Sequence, residues 1–440
     1  MKEGEAISAE FTVQGISASE LAEQFGTPLY VYDGAALRQQ FLRLRAALHP
    51  AVEIFFSLKA NPNVSICALL GSLGARAEIS SLVELATTRL AGIAPEDVVF
   101  LGPGKSSAEI TECVRDGIAA LVCESLGELD AIDRIAQAEG VVAPVVLRVN
   151  PTFTVKGSGL TMGGKPRQFG IDEAQLLELE PGALRRPGVR LIGVQVYMGT
   201  RILNEGVIVE NTRRIFDLAE RVAIRHGFPL ELVDIGGGLG IAYFDGESDL
   251  DVDVLTAELN PVVDDFATRH PGTRLLLESG RYLTACAGTY MVRVSYVKSS
   301  MGERFAVADG GTNHHMAAVG VGSFVKRNFP MALLNRFTEP ATERWNVTGP
   351  LCTPNDTIGK GVQLPELRPG DLVGVLRSGA YGPTASPVLF LSHGSPAEVL
   401  VDDGRAHLVR TRDTVDDLLR PQRLFTQAQD AAMPEPAVSG

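Results

Sequence analysis

The chain has few of the residues that build metal centres or disulfide scaffolds. It contains five cysteines, seven histidines and one tryptophan in 440 residues. The cysteines lie far apart in the sequence, without the paired spacing of a zinc site or the density of a disulfide framework, so we predict no metal and a reducing compartment. Long apolar runs are also missing, and acidic residues interrupt the N-terminal segment. We therefore predict neither a membrane span nor a secretory leader, and a cytoplasmic location.

A basic surplus is missing as well. Acidic residues outnumber basic ones by 53 to 40, which gives a formal net charge of −13. Domains that bind the phosphate backbone usually carry positive charge, so we predict no nucleic-acid partner. A hydrophobic content of 45% over this length is enough for more than one buried core. Small molecules or proteins are the expected partners.

A strand followed by a helix recurs from residue 53 to residue 280. The strand candidates are "EIFFSLKA", "ARAEIS", "VVFLGPGK", "ALVCES", "VVLRVNP", "LIGVQVYMG", "LELVDIGGG" and "RLLLESGR". Stretches with amphipathic helical spacing separate them and often end in glycine. Alternating strands and helices pair in parallel, and eight of each close a barrel. The predicted fold class is α/β, a TIM-like (β/α)8 barrel.

The carboxyl ends of these strands are polar, and barrels place their chemistry at those ends. The residues there are Lys59, Glu78, Ser81, Lys105, Glu124, Arg148, Tyr197, Gly236, Gly237, Gly238, Glu278, Gly280 and Arg281. A lysine at the end of a buried strand loses hydration, and we expect this to lower the pKa of Lys59 toward a neutral, nucleophilic amine. The alternative is a lysine whose stem reaches the surface.

Three consecutive glycines and Arg281 follow the last two strands, where barrels most often bind phosphate. A Walker loop would need glycine at Val99, and a dinucleotide fingerprint would need glycine at Ile241. A tight turn remains the alternative. A reactive lysine and a phosphate cradle on one barrel mouth indicate pyridoxal 5'-phosphate bound covalently through Lys59. Glu278 would then face the pyridine nitrogen.

Motifs along the chain resemble the fold-type III pyridoxal-phosphate decarboxylases, which include diaminopimelate and ornithine decarboxylases. They are "FSLKAN", "EISSLVE", "GPGK", "ESLGEL", "RVNP", "DIGGGLG", "ESGRY", "ADGG", "GPLCTPND" and "GAYG". The resemblance implies an alanine racemase-like barrel over residues 34–282. It also implies a C-terminal β-sandwich or β-barrel domain over 283–420, joined by residues 1–33. The composition of residues 421–440 predicts a disordered tail.

The resemblance also implies roles for individual residues. Family members are homodimers with shared active sites, so Cys352 and Asp356 would reach the site of the partner. There Cys352 would return a proton to the decarboxylated carbon and Asp356 would contact substrate; a structural thiol is the alternative for Cys352. The implied cofactor ligands are Lys59, Glu78, Arg148, Gly236, Gly237, Gly238, Glu278, Gly280, Arg281 and Tyr381.

The sequence departs from the family pattern at three positions. Tyr197 stands where the family stacks a histidine on the cofactor ring, and Thr200 stands where a serine binds the phosphate. Thr353 follows the cysteine where decarboxylases of basic amino acids carry an acidic residue. The missing counter-ion favours a substrate whose far end is neutral, acidic or masked.

Several stretches are similar to the branch of the family that serves butirosin biosynthesis, namely "GPLCTPND", "SGAYG", "SPVLFLSH" and "MGGKPRQFGID". That branch acts on L-glutamate held as a thioester on an acyl carrier protein. The resemblance implies decarboxylation of a carrier-bound amino acid in a natural-product pathway, by default glutamyl to 4-aminobutyryl carrier protein. The alternatives are a decarboxylase of free diaminopimelate or ornithine, and a non-catalytic pyridoxal-phosphate-binding protein.

Two further features have open roles. Residues 155–170 are rich in glycine and carry Lys156, Lys165 and Arg167 just after the fifth strand. We interpret this segment as a lid that meets the carrier arm or its acidic surface; a solvated loop is the alternative. The adjacent His314 and His315 lie in "DGGTNHHMAA", and neighbouring residues rarely supply two ligands to one ion.

Overall fold

The computed structural model describes residues 9–154, 160–161, 163–319 and 327–425. Eight parallel strands close into a barrel, with each strand paired to the next along the chain and the last paired to the first. After an N-terminal strand β1 (Leu29–Asp33), these are β2 (Val52–Ser57), β3 (Arg76–Ile79), β4 (Val98–Phe100), β5 (Ala120–Cys123), β6 (Ala143–Asn150), β7 (Val189–Gln195), β8 (Leu232–Asp234) and β9 (Arg274–Ser279).

Helices surround the barrel and begin at sequence-encoded caps. They are α1 (Ala18–Phe25), α2 (Gly34–Ala47), α3 (Val64–Ser72), α4 (Leu82–Leu90), α5 (Ser107–Asp116), α6 (Leu126–Ala138), α7 (Glu173–Glu178), α8 (Glu205–His226), α9 (Val252–Arg269), α10 (Arg281–Thr284) and α11 (Val415–Leu419). The hydroxyls of Ser81, Ser106 and Ser125 each accept a hydrogen bond from the backbone amide of a glutamate three residues later. This Ser-x-x-Glu spacing fixes where α4, α5 and α6 start, directly after strands β3, β4 and β5.

The barrel strands alternate between two hydrophobic cores. In β2, Phe55 points into the barrel interior, while Ile54 and Phe56 pack in the larger core that includes the surrounding helices. Val99 and Val122 join Phe55 in the interior cluster. The interior is therefore filled by side chains, and the open space lies only beyond the strand ends, as in other barrels of this kind.

A second, mixed sheet follows the barrel. Its strands are β10 (Gly288–Ser300), β11 (Glu303–Ala308), β12 (Met331–Leu333), β13 (Glu343–Thr348), β14 (Thr357–Leu364), β15 (Leu372–Val375), β16 (Ala397–Asp402) and β17 (Arg405–Arg410). The N-terminal strand β1 lies between β10 and β16 in this sheet, antiparallel to the first and parallel to the second. The predicted barrel with an added β domain is confirmed.

The domain boundaries remain a prediction, and most of the predicted tail lies outside the described residues. Within the described ranges, no helix combines the length and apolar content needed to cross a membrane.

Several residues expected at strand ends lie in the turns that follow. Lys59 lies in a 3₁₀ turn, Leu58–Ala60, because the pairing of β2 with β3 stops at Ser57. Pro62, which lacks an N–H donor, lies just beyond this turn. Lys105 differs further from the expectation. Its side chain is 1% exposed, and its Nζ donates to Glu128 and to the carbonyl oxygens of Gly102 and Val122. This lysine ties the turn after β4 to β5.

We predict that Lys105→Ala lowers the free energy of unfolding by about 3 kcal/mol or more, because it leaves the Glu128 carboxylate and two carbonyls without their cation. Urea unfolding measures the change. Lys298→Ala, at an exposed position of β10, is the control and should cost little. Equal stability of the two variants would contradict a structural role for Lys105.

Candidate active site

Lys59 meets two acidic side chains at the barrel mouth. Its Nζ lies 2.9 and 3.1 Å from the carboxylate oxygens of Glu78 and 3.8 Å from Oε2 of Glu278. The two glutamate side chains are 1% and 3% exposed, whereas 39% of the Lys59 side chain is exposed. Three strand ends thus bring the predicted lysine and both predicted acids into one ionic cluster.

The predicted decrease in the pKa of Lys59 is wrong for this arrangement. Burial lowers the pKa of the amine, but the charges of Glu78 and Glu278 outweigh burial and raise it well above its usual value. The sequence at Lys59 indicates desolvation alone, because Glu78 and Glu278 approach this lysine only in the folded barrel. In the protein without cofactor, Lys59 is a protonated amine held by two carboxylates.

The three glycines form a cradle that no side chain could share. A Cβ at Gly236, Gly237 or Gly238 would lie 2.2 to 2.4 Å from a backbone carbonyl oxygen of a neighbouring segment. Two of them, Gly236 and Gly238, also have positive φ values of 67° and 99°. Glycine is therefore required here for both space and conformation, and the phosphate-binding role of the three glycines stays a prediction.

Arg281 and Gly280 complete the cradle. Nη1 of Arg281 donates to the Tyr243 hydroxyl at 3.1 Å, and the guanidinium stacks 4.6 Å from the ring centre of Tyr381. The Nε of Arg281 is buried and has no hydrogen-bond partner among the described residues. A buried, unpaired N–H beside glycine amides is a donor for an anion.

Tyr381 is held in a conformation that side chains seldom adopt. Its φ is +59°, and its amide donates to the carbonyl of Ala60, next to Lys59, at 2.8 Å. Thr384 donates to the carbonyl of Lys59 itself, at 3.5 Å. The second domain thus binds the 3₁₀ turn that carries Lys59 and contributes Tyr381 to the site.

Arg148 lies against the opposite wall. Its Nη1 donates to Glu124 at 2.9 Å, and its guanidinium lies 4.7 Å from the ring centre of Phe169. Glu124 also accepts from the amides of Gly102 and Gly170. The cation is therefore oriented by a carboxylate and an aromatic face, and the carboxylate fastens two loops to it.

A cavity of about 550 Å³ opens above these groups. Tyr197 and Thr200 line it, and burial raises the pKa of the Tyr197 phenol to about 12. The Tyr197 ring centre lies 5.7 Å from Nζ of Lys59. The remaining lining residues are Lys59, Glu78, Ser80, Phe100, Leu101, Gly102, Pro103, Gly104, Lys105, Glu109, Arg148, Phe169, Glu278, Arg281 and Tyr381.

Other predicted site residues lie outside this cavity. Cys352 is exposed and Thr353 is partly buried on the loop before β14. Asp356 is 2% exposed and accepts hydrogen bonds from Thr312 and from the amide of Leu351, so its own chain uses it to hold this loop. The predicted substrate contacts of these residues stay predictions.

The proposed lid is described only in part. Lys156 lies outside the described residues, while Lys165 and Arg167 are exposed. Asn150, at the end of β6, accepts from the amide of Gly164 and donates to the carbonyl of Lys165. The described end of the segment is thus fastened beside the cavity.

His314 and His315 are buried structural residues. His314 contacts the Tyr290 hydroxyl and the carbonyl of Gly394, and His315 contacts the Ser378 hydroxyl. Burial lowers the pKa of His314 to about 4 and that of His315 to about 3. Within the described ranges, no group of three or more His, Cys, Asp or Glu could hold a metal ion.

Three contributors to the site escaped the sequence reasoning. Gln195, at the end of β7, donates from Nε2 to Oε1 of Glu278 at 2.9 Å, and Asp234 lies buried at the end of β8. Phe169 stacks on Arg148. Gln195 and Asp234 are the last residues of two barrel strands. This position is the sequence signal that could have indicated them as site residues.

The sequence of residues 35–285 matches the protein-family model for the pyridoxal-binding domain of pyridoxal-dependent decarboxylases. The chain belongs to this family. An L-glutamyl-[BtrI acyl-carrier protein] decarboxylase of Niallia circulans is 39% identical over 406 residues, covering 91% of this chain and 95% of the relative. A diaminopimelate decarboxylase of Neisseria meningitidis is 34% identical over 424 residues, covering 93% and 96%.

Solved structures agree with this assignment. The crystal structure of diaminopimelate decarboxylase from Helicobacter pylori complexed with L-lysine superposes with a TM-score of 0.82 at 28% identity. It covers 92% of this chain and 98% of that one. The protein is thus a pyridoxal-phosphate-dependent amino acid decarboxylase, a carboxy-lyase of fold type III.

The described residues fit pyridoxal phosphate. Lys59 would hold its aldehyde, the glycine cradle and the unpaired Nε of Arg281 would hold its phosphate, and Glu278 would hold its ring nitrogen. The bound cofactor supplies the electron sink for loss of a carboxylate. The chain itself supplies orientation, since Glu78, Gln195 and Tyr243 hold Lys59, Glu278 and Arg281 respectively by hydrogen bonds.

We predict that Gly237→Ala weakens pyridoxal-phosphate binding roughly tenfold to a hundredfold, because the new Cβ would lie 2.2 Å from the carbonyl oxygen of Glu278. Titration of cofactor-free protein measures this. Gly127→Ala is the matched control, since no atom lies within 4 Å of its Cβ position. Unchanged binding in Gly237→Ala would show that the cradle is not the phosphate site.

We also predict that Glu78→Gln speeds cofactor uptake at neutral pH. The charge of Glu78 raises the pKa of Lys59, so its removal leaves more neutral amine. Uptake by the wild type should increase about tenfold per pH unit below that pKa, and the variant's profile should lie at lower pH. Stopped-flow absorbance gives the rates. Glu96→Gln, at an exposed site, should leave the profile in place, and an unshifted Glu78→Gln profile would contradict the ionic cluster.

Proposed function

We propose that the enzyme decarboxylates an amino acid held as a thioester on an acyl carrier protein, with L-glutamyl carrier as the default substrate and 4-aminobutyryl carrier as the product. The observation that carries the proposal is the 39% identity to a glutamyl-carrier decarboxylase over nearly the whole of both chains. The diaminopimelate decarboxylase of Neisseria meningitidis is 34% identical to this chain.

The composition of the cavity wall supports this choice. Three of its four cations already pair with carboxylates, since Lys59 contacts Glu78, Lys105 contacts Glu128 and Arg148 contacts Glu124. The fourth, Arg281, belongs to the predicted phosphate site. Phe100, Leu101, Pro103 and Phe169 add apolar surface. A substrate whose far carboxyl is masked as a thioester needs no counter-ion there, whereas the charged far end of free diaminopimelate does.

The chain's residues divide the work of the reaction. Lys59 would hold the cofactor's aldehyde carbon, where the substrate amine would also bind, and Glu278 would keep the ring nitrogen in its charged form. We propose that the enzyme is a homodimer in which Cys352 and Asp356 of one subunit belong to the site of the other. The Sγ of Cys352 would donate the proton that takes the place of the lost carboxylate.

A free amino acid is the second candidate. It is favoured by the structural likeness to a diaminopimelate decarboxylase crystallised with L-lysine. The acidic counter-ion expected for a basic substrate is replaced by Thr353. Direct comparison of substrates separates the two.

The exposed cations of the lid segment are the proposed meeting point with the carrier. Lys165 and Arg167 are exposed, and the segment between them and Gly170 is fastened to the wall through Phe169 and Glu124. A carrier that binds there would lie beside the cavity mouth. Opposite charges would also steer its approach.

We predict that glutamyl carrier protein is decarboxylated at least about a hundredfold more efficiently, in kcat/KM, than free glutamate, diaminopimelate, ornithine or arginine. Mass spectrometry of the carrier and release of carbon dioxide give the rates. Preference for a free amino acid would overturn the carrier assignment without affecting the decarboxylase assignment.

Combined Lys156→Gln, Lys165→Gln and Arg167→Gln should raise KM for the carrier substrate. Unchanged turnover of that substrate would contradict the proposed lid.

We predict that Lys59→Ala and Cys352→Ala chains, inactive alone, regain roughly a quarter of wild-type activity when unfolded and refolded together. Half of the dimers would be mixed, and each would contain one complete site of two. Mixing Lys59→Ala with Lys59→Ala is the control. Without recovery, Cys352 does not act across a subunit boundary.

A further inference from the structure

A third buried acid lies beside Glu278, and the reaction as described does not use it. Asp234 ends strand β8 and is 1% exposed. Residue 234 pairs with Gln195 of β7 on one side and with Leu276 of β9 on the other, so the backbone ladder fixes its position. The same Gln195 donates to the Glu278 carboxylate at 2.9 Å, so one side-chain amide lies beside both buried acids. Two neighbouring carboxyl groups away from water cannot both be ionised without a large cost.

Hydrogen-bond accounting indicates where a proton lies. Oδ1 of Asp234 accepts from the amide of Gly236 at 2.8 Å, whereas Oδ2 is buried and has no donor among the described residues. Gln195 Oε1 is likewise buried without a donor, because its Nε2 is used on Glu278. An ionised Asp234 would leave these acceptors unsatisfied. A proton on Oδ2 provides the missing donor.

The charges around Asp234 point the same way. The groups facing this cluster are Glu278, Glu78, Lys59, Tyr197 and Arg148, and Arg148 is already bonded to Glu124. If Asp234 were ionised, the single positive charge of Lys59 would have to balance three carboxylates, those of Glu78, Glu278 and Asp234. Burial and the charge of Glu278 raise the pKa of Asp234 well above its usual value. Glu278 has the donor Gln195 and lies 3.8 Å from the Lys59 amine, so it is the better site for the negative charge.

We propose that Asp234 is a proton-holding positioning residue: its carboxyl stays neutral in the folded enzyme and donates from Oδ2 into the Glu278–Gln195 pair. The donated hydrogen bond keeps Glu278 ionised although it is buried. Glu278 is the group that would keep the cofactor's ring nitrogen charged, so the electron sink depends on this proton. Asp234 touches neither substrate nor cofactor in this proposal.

Stability against pH tests the proposal on cofactor-free protein. An aspartate that is neutral when folded, with a pKa near 3.9 when unfolded, makes the native state bind the extra proton. Wild-type stability then falls relative to Asp234→Asn as the pH rises. We expect the melting temperature of Asp234→Asn to match the wild type near about pH 5 and to exceed it increasingly toward about pH 8. Asparagine preserves both the acceptor for Gly236 and the donor toward Glu278.

Asp371→Asn is the matched control. Asp371 is also buried, but its oxygens accept from Arg336, Asn335 and the amide of Arg368. Removal of this paired carboxylate should lower the melting temperature at neutral pH, because Arg336 loses its ionic partner. If Asp234→Asn likewise melts below the wild type at neutral pH, Asp234 is a paired, ionised carboxylate and the proposal is wrong.

A second measurement addresses the electronic role. Asp234→Asn loaded with pyridoxal phosphate should keep the wild-type visible spectrum across neutral pH. Asp234→Leu, which removes the donor, should shift the pH at which that spectrum changes. Loss of the spectrum in Asp234→Asn, or identical pH titrations for Leu and wild type, would contradict a donated proton. These readouts do not depend on which amino acid the enzyme decarboxylates.

Discussion

The contact of the Lys59 amine with the carboxylates of Glu78 and Glu278 is the interaction on which the site depends. Two buried carboxylates need a cation to compensate for their lost hydration, and the partly exposed Lys59 ammonium supplies it. The opposite charges lower the free-energy cost of placing each other in the barrel mouth. The same arrangement fixes the protonated Lys59 amine where it would hold the aldehyde of pyridoxal phosphate, and it fixes Glu278 where it would hold the ring nitrogen.

The fold makes this cluster possible by ending strands at one level. Barrel strands β2, β3 and β9 are neighbours, so their carboxyl ends place Lys59, Glu78 and Glu278 together although more than two hundred residues separate the first from the last. The second domain contacts the turn that carries Lys59. The backbone amide of Tyr381, a residue with positive φ, donates a hydrogen bond to the carbonyl of Ala60 in that turn. Neither domain alone contains the complete wall.

Much of this was predictable because local patterns decide it. The eight-strand repeat and the glycine triplet each reflect short-range rules, and the barrel places the residues at the strand ends on one face. The direction of the Lys59 pKa shift was not predictable, because it depends on charges brought close only by folding. Lys105 shares the strand-end pattern of Lys59, but Glu128 and two carbonyl oxygens bind it. Asp234 and Gln195 end barrel strands, but their pairing with each other and with Glu278 depends on contacts that only the fold creates.

Reduction of the pyridoxal-phosphate-loaded enzyme with borohydride, followed by peptide mass mapping, tests the central claim most directly. The account predicts the cofactor mass on the peptide that contains Lys59, and its absence when Lys59 is replaced by alanine. Attachment at another lysine, or cofactor retained covalently by Lys59→Ala, would contradict it.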